Sequence, residues 1–382
     1  MSLRIVALIG LFRPAVGGTE VQTALLAREW ATLGHHVEIW TRRLAPHHAA
    51  KEAEGDAVVR RLGWASRVRY VPIPVVEKLS FHLALWLRLF TQRNQYDVVI
   101  AQQALYPAVA AAFASWLTKR PLVVRNASTG ATSDLGNFRT FSSPLLRLLR
   151  NETRALVVLN QQGAREAEGE GFSPAVVHAI PNGLQAGPAP GPRPVGRRPR
   201  VVYVGVFRPE KQVDLLLRAW ARAGSPGDLL LAGEGPLRAS LELLARELGI
   251  NPEFLGNVDD PRGLLRDADV FVLSSRAEGM SNALLEAMAE GCACLATFVG
   301  GNVDCLAPRS KMPPPGGMVK GPAGWLVNPG DETAMADALV ALCGDRELRE
   351  SLGRVAREKV LADHALEKTA KQYLEIFQRL VD

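Results

Sequence analysis

The segment VFVLSSRAEGMSNALLEAMAEG, residues 270–291, changes from a short apolar run to a helical pattern across one loop. Residues 270–273 predict a buried strand, and residues 282–290 predict a helix that ends before Gly291. Short apolar runs that alternate with amphipathic helices are typical of parallel sheets covered by helices on both faces. The segment therefore predicts an α/β fold.

The same alternation occurs on both sides of a segment rich in proline and glycine, AGPAPGPRPVGRRP, at residues 186–199. On the N-terminal side, strands are predicted at residues 4–9, 37–41, 97–100 and 122–125, and a helix at 20–33. On the C-terminal side, strands are predicted at 201–204, 229–232, 270–273 and 293–297, and helices at 213–223, 236–249 and 282–290.

So much proline and glycine forms neither a helix nor a central strand, which favours a linker at residues 186–199. We therefore expect two Rossmann-like domains, at residues 1–185 and 200–362. A C-terminal helix at 363–382 is expected to pack back on the N-terminal domain. Since ligands of open α/β sheets bind beyond the carboxyl ends of the strands, a cleft between the two sheets is the expected binding site.

The composition is that of an ordinary globular protein, with 47% hydrophobic and 22% charged residues among 382. It argues against disorder, collagen-like repeats and a disulfide-rich scaffold. The four cysteines, at positions 292, 294, 305 and 343, lack C-x-x-C spacing and are expected to be reduced, structural and cytoplasmic, with no zinc. The apolar run at 5–12 is too short for a signal peptide, and Gln102, Gln103 and Pro107 interrupt the uncharged run at 98–118, so no membrane span is expected.

Positive charge is concentrated in the first half of the chain. Residues 1–190 contain 3 Lys and 18 Arg against 10 Glu and 3 Asp, whereas the rest contains 24 basic and 26 acidic residues. Such an excess favours an anionic partner such as nucleic acid, a phospholipid surface or a phosphorylated substrate, or it serves solubility alone. No RNA- or DNA-binding motif accompanies the arginines, so we expect no nucleic-acid partner.

Two stretches, residues 79–93 and 141–150, combine apolar with basic side chains. In the first, helical spacing relates Phe81, Leu85, Trp86, Leu89 and Phe90, and Arg88 and Arg93 accompany them. This composition suits a helix at a membrane interface. The same spacing is found in a helix that covers the core of an α/β domain. Both interpretations stay open.

The loop and helix at 274–291 form the first candidate site. The backbone N–H groups near Ser281 to Leu284 open the predicted helix and lack intrahelical partners, which suits a phosphate group. Glu278 precedes the turn and Glu286 lies about one helical turn inside, so both carboxylates can border one site and bind sugar hydroxyls. In the alternative interpretation, Glu278 helps to cap the helix and Glu286 is an ordinary surface residue.

Three further glycine-containing loops precede helices. In the first, Gly205 is followed by Arg208 and Lys211, whose charges suit a diphosphate. The second, residues 17–20, begins with Gly17 and Gly18 at a helix N-terminus, with Thr19 as the expected N-cap. The third, residues 233–236, is interpreted as architecture because proline at position 236 suits a helix start.

Residues 267–269 read Asp-Ala-Asp, a pattern by which some sugar transferases hold a divalent metal. Here the pattern lies at the entrance to a predicted strand, where it more simply ends the preceding helix. We therefore expect no metal. A second stretch rich in proline and glycine, residues 307–322, predicts a surface loop, either disordered or a lid.

Residues 278–291, with two glutamates separated by seven residues, resemble the signature of glycosyltransferase family 4, the retaining sugar transferases of the GT-B fold. Short motifs similar to those of the family lie at residues 17–20, 34–37, 180–183, 205–211 and 300–302, so the resemblance covers nearly the whole chain. It implies two Rossmann-like domains whose parallel sheets face an interdomain cleft. It also implies a metal-independent, hexosyltransferase-like enzyme that moves a sugar from a nucleotide-diphosphate sugar to an acceptor hydroxyl, in glycan, glycolipid or glycoconjugate biosynthesis.

The resemblance assigns roles residue by residue. The C-terminal domain would bind the donor, with Glu286 at the ribose, Arg208 and Lys211 at the diphosphate and Glu278 near the donor sugar. Catalytic roles fall on Glu278, Arg208 and Lys211. The donor-binding set is Gly17, Gly18, Gly205, Arg208, Lys211, Glu278, Ser281, Asn282, Ala283, Leu284 and Glu286. The N-terminal domain would hold the acceptor, and the residues on the acceptor or sugar side are Gln102, Gln103 and Asn126.

Two positions differ from the family pattern. Val206 stands where an arginine usually follows the glycine, and Gln102 stands where many members have a histidine. A catalytically silent GT-B partner subunit is therefore one alternative, and a GT-B nucleotide-sugar epimerase is another. No cofactor is expected beyond the nucleotide sugar as co-substrate. The acceptor is expected to be lipid-linked or anionic, with the protein in the cytoplasm at the inner face of the membrane.

Overall fold

The computed structural model describes residues 1–14, 17–65, 74–104, 106–130, 133–136 and 143–382. Its contacts divide the chain into two compact units. Unit 1 comprises residues 1–183 and 366–382, and unit 2 comprises residues 184–365.

Unit 1 is built on an eight-stranded sheet with the order β3-β4-β2-β1-β5-β6-β7-β8. Its strands are β1 (Arg4–Ile9), β2 (His36–Arg42), β3 (Lys51–Glu54), β4 (Ala57–Leu62), β5 (Val98–Ala101), β6 (Leu122–Asn126), β7 (Thr153–Val158) and β8 (Val177–Ala179). Its first helices are α1 (Gly18–Thr32), α2 (Pro74–Thr91), α3 (Tyr106–Thr118), α4 (Ser143–Glu152) and α5 (Gln161–Gly169). Neighbouring strands pair in parallel except β3 and β4.

Both faces of this sheet are buried. Successive side chains of a strand point to opposite faces, so the side chains of one strand belong to two different clusters. In β1, Ile5 and Ala7 belong to one apolar cluster, whereas Val6 and Leu8 belong to another. The second cluster also contains Phe81, Leu85 and Leu89 of α2. The sequence left open whether these three side chains contact a membrane or the core. The structure places them in the core.

Unit 2 contains a seven-stranded sheet with the order β11-β10-β9-β12-β13-β15-β14. Its strands are β9 (Arg200–Val204), β10 (Asp228–Ala232), β11 (Glu253–Gly256), β12 (Val270–Leu273), β13 (Ala293–Thr297), β14 (Met318–Gly321) and β15 (Gly324–Val327). Its helices are α6 (Val213–Arg222), α7 (Arg238–Glu247), α8 (Pro261–Arg266), α9 (Asn282–Ala289), α10 (Gly300–Leu306), α11 (Glu332–Gly344) and α12 (Arg346–Asp363). The last helix of the chain, α13 (Leu366–Val381), belongs to unit 1.

Helix α13 covers the same face of the unit 1 sheet as α1. The rings of Tyr373 and Phe377 meet Trp30 of α1 edge to face, with centroids 5.6 and 5.3 Å apart. The indole N–H of Trp30 also donates to the carbonyl of Ala370. Aromatic pairs in this geometry add to the stabilisation from apolar burial. The C-terminal residues thus complete the core that the first strand begins.

The segment at 186–199 is bound to unit 2. Arg193 donates to the carbonyl of Ala268 at 2.5 Å, and Arg197 pairs with Asp269 at 3.0 Å. The carboxylate of Asp269 also accepts the backbone N–H of Arg200. Asp269 therefore joins this segment to the start of β9 and β12, which gives the D-x-D pattern a structural role.

Two local predictions need correction. Helix α1 begins at Gly18 with extended Gly17 as its N-cap, and Thr19 lies inside the helix instead of capping it. The stretch 307–322 is not a loop throughout, because residues 318–321 form β14, which pairs antiparallel with β15 at the edge of the sheet. A search of the described helices finds none that is long and apolar enough to cross a membrane.

Candidate functional site

In each sheet the strand order reverses beside the first strand of the unit, between β1 and β5 in unit 1 and between β9 and β12 in unit 2. In unit 2 this point lies between β9 and β12, which pair in parallel through Val202 and Phe271. Ligands of open α/β sheets bind at the carboxyl ends of the strands beside such a reversal. The two loops that meet there, residues 205–212 and 274–281, are those selected from the sequence.

The loop after β9 is held in shape by its neighbours. The N–H of Gly205 donates to the carbonyl of Ala232, and Phe207 is fully buried. A 3-10 turn, Pro209–Lys211, follows, and Gln212 adopts a left-handed conformation with φ 47° before α6 begins. Arg208 is exposed, and its guanidinium has no ion pair or hydrogen bond to any residue that the structure describes. The loop therefore presents a positive charge to solvent.

Glycines in the next loop permit this packing. A Cβ atom on Gly233 would lie 1.9 Å from the carbonyl oxygen of Gly205, and one on Gly235 would lie 2.5 Å from that of Phe207. Both glycines also have positive φ, at 146° and 159°. Residues 233–236 therefore support the candidate site, and the prediction of a helix start at residue 236 is wrong by two residues, because α7 begins at Arg238 with Leu237 as its N-cap.

We expect Gly233→Ala to destabilise unit 2 strongly because its Cβ has no room and its φ is unfavourable for alanine. A displaced loop and a strained backbone together are expected to cost about 2–4 kcal/mol of unfolding free energy. Thermal and urea unfolding of the purified variant measure this. Gly249→Ala is the matched control, since its φ of 66° is also positive but no atom lies within 4 Å of the added Cβ. Equal losses in both variants would contradict the packing argument.

Lys211 and Glu278 join the two loops directly. The Lys211 ammonium lies 2.5 Å from Oε1 of Glu278, and the same oxygen accepts the Ser275 hydroxyl at 2.7 Å. The Ser274 hydroxyl donates to the Lys211 carbonyl, and the N–H of Arg276 donates to the carbonyl of Glu210. Glu278 is only 8% exposed. A buried carboxylate with a charge partner is stable here, whereas an unpaired one would be costly.

Tyr203, on β9, lies beneath this pair. Burial raises the pKa of its phenol well above the usual range, and the charges of Glu278 and Glu210 add to the effect. Its hydroxyl is buried without a hydrogen-bond partner among the described residues. The phenol is therefore neutral and adds no charge to the site.

The N-terminus of α9 lies next to the pair. Ser281 is the N-cap, and its hydroxyl accepts the N–H of Leu284 at 3.3 Å. Asn282 and Ala283 are half-buried. The positive end of the helix dipole and the first N–H groups point out of such a terminus, so an anion is favoured there. The N-cap of this helix is Ser281 and not Glu278.

Glu286 lies on α9, one turn further along, and is half-buried. Burial raises the pKa of its carboxyl from 4.5 to about 7, while the charge of Arg262 opposes the shift and that of Asp260 adds to it. No hydrogen bond reaches this carboxyl from any residue within the described ranges. Glu286 is thus poised to gain partners from a bound molecule.

A hydrogen bond that was not predicted from the sequence connects the loop at 274–281 to α10. The N–H of Gly301 donates to the carbonyl of Gly279 at 2.9 Å, and a Cβ on Gly301 would lie 2.7 Å from that oxygen. Asn302 donates to the carbonyl of Thr297. The two adjacent glycines at 300–301 are the sequence feature that could have indicated this contact, because glycine allows two backbone segments to approach closely.

The candidates in unit 1 lie at its own reversal, between β1 and β5. The N–H of Gln102 donates to the carbonyl of Leu8, and its side-chain oxygen accepts from Arg125 at 3.4 Å. Gln102 and Asn126 are fully buried, whereas Gln103 is half-buried. Gln102 therefore continues the strand pairing and does not lie in an exposed loop. Gly17 and Gly18 lie at the end of the loop that leaves β1.

Groups of three or more metal-ligating side chains are not found in the described part of the chain. Asp267 is exposed and lies 3.8 Å from Arg200, and Asp269 is occupied as described above. The four cysteines are free thiols and buried. Burial raises the pKa of Cys292 and Cys305 to about 12, so these thiols are not reactive thiolates at neutral pH.

Comparison with known proteins agrees with this geometry. Residues 17–183 match the family described as "Glycosyl transferase 4-like domain", and residues 198–345 match "Glycosyl transferases group 1". Together the two matches cover most of the chain. The second contains the loops at 205–212 and 274–281 as well as α9.

Two curated relatives illustrate the sequence similarity. The N-acetyl-alpha-D-glucosaminyl L-malate synthase of Bacillus anthracis is 34% identical over 181 residues, which is 46% of this chain and 44% of the relative. The lipopolysaccharide core biosynthesis glycosyltransferase LpsE of Rhizobium meliloti is 32% identical over 47% of this chain and 49% of the relative. The chain therefore spans about half the length of these relatives.

Solved structures share the fold over the whole chain. HepE of Anabaena, solved with UDP and glucose, has a TM-score of 0.75 at 17% identity and covers 99% of this chain and 100% of its own. Sucrose-phosphate synthase from Thermosynechococcus elongatus has a TM-score of 0.76 at 22% identity, with 99% of each chain covered. The chain belongs to the glycosyltransferases of the family 4 type and has their two-domain GT-B fold.

Proposed function

We propose that this protein transfers a sugar from a nucleotide-diphosphate sugar to an acceptor hydroxyl, with retention of the anomeric configuration. The observation that carries the proposal is the junction of the loops at 205–212 and 274–281 at the strand reversal of unit 2. There the Lys211–Glu278 pair, the exposed guanidinium of Arg208 and the N-terminus of α9 lie together. The positive groups suit a diphosphate, and the carboxylate suits sugar hydroxyls.

Each part of the donor has a candidate partner. The half-buried carboxyl of Glu286 suits the two ribose hydroxyls, which can both donate to it. Arg208 and the first backbone N–H groups of α9, at Asn282 and Ala283, suit the diphosphate. Lys211 and Glu278 then border the sugar end of the diphosphate. Since solved GT-B structures of this fold contain UDP, a UDP-sugar is the first donor to test.

In the reaction the bond from the anomeric carbon to the phosphate oxygen breaks, and the acceptor oxygen forms the new bond. The departing diphosphate takes the electron pair of the broken bond and so gains negative charge, and its freed oxygen accepts the proton of the acceptor hydroxyl, which approaches on the same face of the sugar. Positive groups that are already in place stabilise such a charge most in the transition state. We assign this role to Lys211 and Arg208, and assign Glu278 to holding Lys211 in position.

Cationic side chains and a helix terminus supply the charge that a metal would otherwise supply, so we propose metal-independent transfer. Excess chelator is expected to leave the initial rate unchanged, because no step needs a divalent cation. The measurement is UDP release before and after treatment with EDTA. Loss of activity that magnesium or manganese restores would contradict the proposal. The variant Asp269→Asn is expected to lower only stability, since Asp269 binds Arg200 and Arg197.

We further propose that the acceptor is lipid-linked or anionic and that the protein acts in the cytoplasm at the inner face of the membrane. The excess of Arg and Lys over Asp and Glu in residues 1–190 supports this. An undecaprenol-linked acceptor occurs in the name of one relative, a Campylobacter jejuni N-acetylgalactosaminyltransferase that is 28% identical over 164 residues. Glycan and glycolipid biosynthesis are therefore the first areas in which to seek the acceptor.

The test is a panel of nucleotide sugars incubated with the purified protein, with release of the nucleotide diphosphate as the readout. The proposal predicts slow release with one donor and faster release when its acceptor is added. NMR of the product then reports the anomeric configuration. Binding of a donor in a thermal-shift assay without any turnover would instead identify a silent partner subunit. Conversion of the donor into its epimer would identify an epimerase.

A further inference from the structure

An apolar face on the outside of unit 1 is left uncovered by the residues that the structure describes. Helix α2 buries one stripe of side chains and exposes another, in which the exposed fraction is 63% for Leu79, 59% for Leu83 and 45% for Leu87. These positions are separated by four residues, so they lie along one side of the helix. They are not the side chains that form the core contact of α2.

Helix α3 extends the same face. Its side chains Phe113 and Trp116 are 41% and 48% exposed. The Phe113 ring lies 6.0 Å from Trp86 of α2 and 5.8 Å from Trp116, and Trp86 stacks on Phe90. Aromatic contacts therefore join the two helices into one surface, which we name the α2–α3 face. Its members are Leu79, Leu83, Leu87, Phe90, Phe113 and Trp116.

Basic residues lie on the two helices of this face or directly after them. The Arg93 guanidinium lies over the Phe90 ring at 5.5 Å, and Arg120 donates to the carbonyl of Arg93. Lys78 of α2 and Lys119, which directly follows α3, are exposed. Between residues 74 and 120 the sequence contains only two acidic residues, Glu77 and Asp97. The carboxylate of Asp97 pairs with Arg4, the first residue of β1.

Helix α4, which packs against α3, adds to the positive charge. Arg147 and Arg150 are exposed on it. The stretch 141–150 was the second one that the sequence analysis selected, and its residues 141 and 142 lie outside the described part of the chain. The exposed arginines of α4 therefore add positive charge to the part of unit 1 that contains the α2–α3 face.

We propose that the α2–α3 face docks on a bilayer that contains anionic phospholipid. Exposed leucines with neighbouring tryptophan and phenylalanine suit the boundary between headgroups and acyl chains, and the accompanying Lys and Arg suit acidic headgroups. A second copy of the chain fits less well, because a two-fold contact would bring two such sets of Lys and Arg together. The inference deepens the proposed function by naming the surface that reaches a membrane acceptor, but its test does not require sugar transfer.

The test is flotation of the full-length protein with vesicles. Binding is expected to phosphatidylcholine vesicles that contain about 30% phosphatidylglycerol, and to weaken at high salt because salt screens the headgroup charge. The double variant Leu83→Glu/Leu87→Glu is expected to reduce the bound fraction by about tenfold, since two charges would have to enter the apolar layer. Leu361→Glu, at an exposed leucine of α12, is the matched control and is expected to bind like the unchanged protein.

Several outcomes would overturn the proposal. One is the absence of binding to anionic vesicles, and another is equal binding by the double variant. A dimer that size-exclusion chromatography detects, and that the double variant loses, would assign the face to a second copy instead. An unchanged melting temperature shows that the double variant is folded. Donor turnover in the absence of vesicles is expected to be the same for all three proteins, so failure of docking is distinguishable from failure of the transferase proposal.

Discussion

Lys211→Ala is expected to lower the turnover number for sugar transfer by about 10²- to 10³-fold, with a smaller change in donor affinity. The ammonium of Lys211 is held 2.5 Å from Glu278, so it is in place before charge develops on the leaving diphosphate. An interaction that is strongest in the transition state lowers the rate more than binding. Steady-state kinetics and the Kd of the donor measured by calorimetry separate the two effects.

The ion pair complicates the single substitution, because Lys211→Ala leaves a buried carboxylate without its partner. The double variant Lys211→Met/Glu278→Gln removes both charges and restores a neutral interior. If Lys211 acts only by holding the loops together, the double variant regains turnover. If its charge acts on the diphosphate, the double variant turns over more slowly than Glu278→Gln alone, even though its melting temperature recovers. Arg222→Ala, at an exposed arginine of α6, is the control and is expected to keep full turnover.

The parallel strands of the fold could be predicted because each is buried on both faces and is therefore a continuous apolar run. The predicted strands at 270–273 and 293–297 coincide with β12 and β13. Strand β14 could not be predicted. Its four residues follow a run of prolines and contain one lysine, and it exists only because β15 offers a pairing edge. Pairing of this kind depends on the rest of the sheet and leaves no local pattern.

The start of α9 was predicted at residue 282, where the structure has it, and Ser281 is its N-cap. Thr19 shows the limit of this reasoning, since threonine is a common N-cap but Gly17 takes that position. The backbone of Gly17 is already extended, and its carbonyl accepts the N–H of Val21. Two adjacent glycines allow the helix to start earlier than side-chain preference alone indicates.

The sequence could propose candidate residues for the site but not the contacts between them. Lys211 and Glu278 were each selected from their own loop, but their ion pair spans 67 positions of sequence and depends on β9 lying beside β12. The contact of Gly301 with the Gly279 carbonyl is hidden for the same reason. Spacing predicts which residues share a loop or a helix face, whereas the strand order decides which loops meet.

Glu286→Gln is expected to weaken binding of UDP-glucose by at least about tenfold at pH 8 and by much less at pH 5.5. Burial raises the pKa of the Glu286 carboxyl to about 7, so the ionised form that accepts both ribose hydroxyls predominates only above that pH. Affinity of the unchanged protein should therefore rise as pH increases through 7. The affinity of the glutamine variant should stay flat. UDP-glucose itself has no group that titrates in this range, so calorimetry across pH reports the protein group.

The free energy of unfolding should change with pH in the opposite direction to the donor affinity. Because the folded state holds the Glu286 proton more tightly than the unfolded chain does, the neutral carboxyl favours folding at low pH. That contribution is complete below about pH 4.5, the ordinary value, and is lost as pH rises to about 7. Glu286→Gln should remove this slope from urea unfolding measured between pH 4 and 8. Arg262 and Asp260, the charged groups that act on Glu286, oppose one another and leave burial as the main cause.

The two measurements together decide the role of Glu286. A carboxyl at an ordinary surface position would show neither the pH-dependent affinity nor the pH-dependent stability. A carboxyl that is buried for structural reasons would show the stability slope but leave donor affinity independent of pH. Only a carboxyl that is kept partly dehydrated in the empty site, and that gains the ribose hydroxyls as partners on binding, shows both effects, with opposite signs.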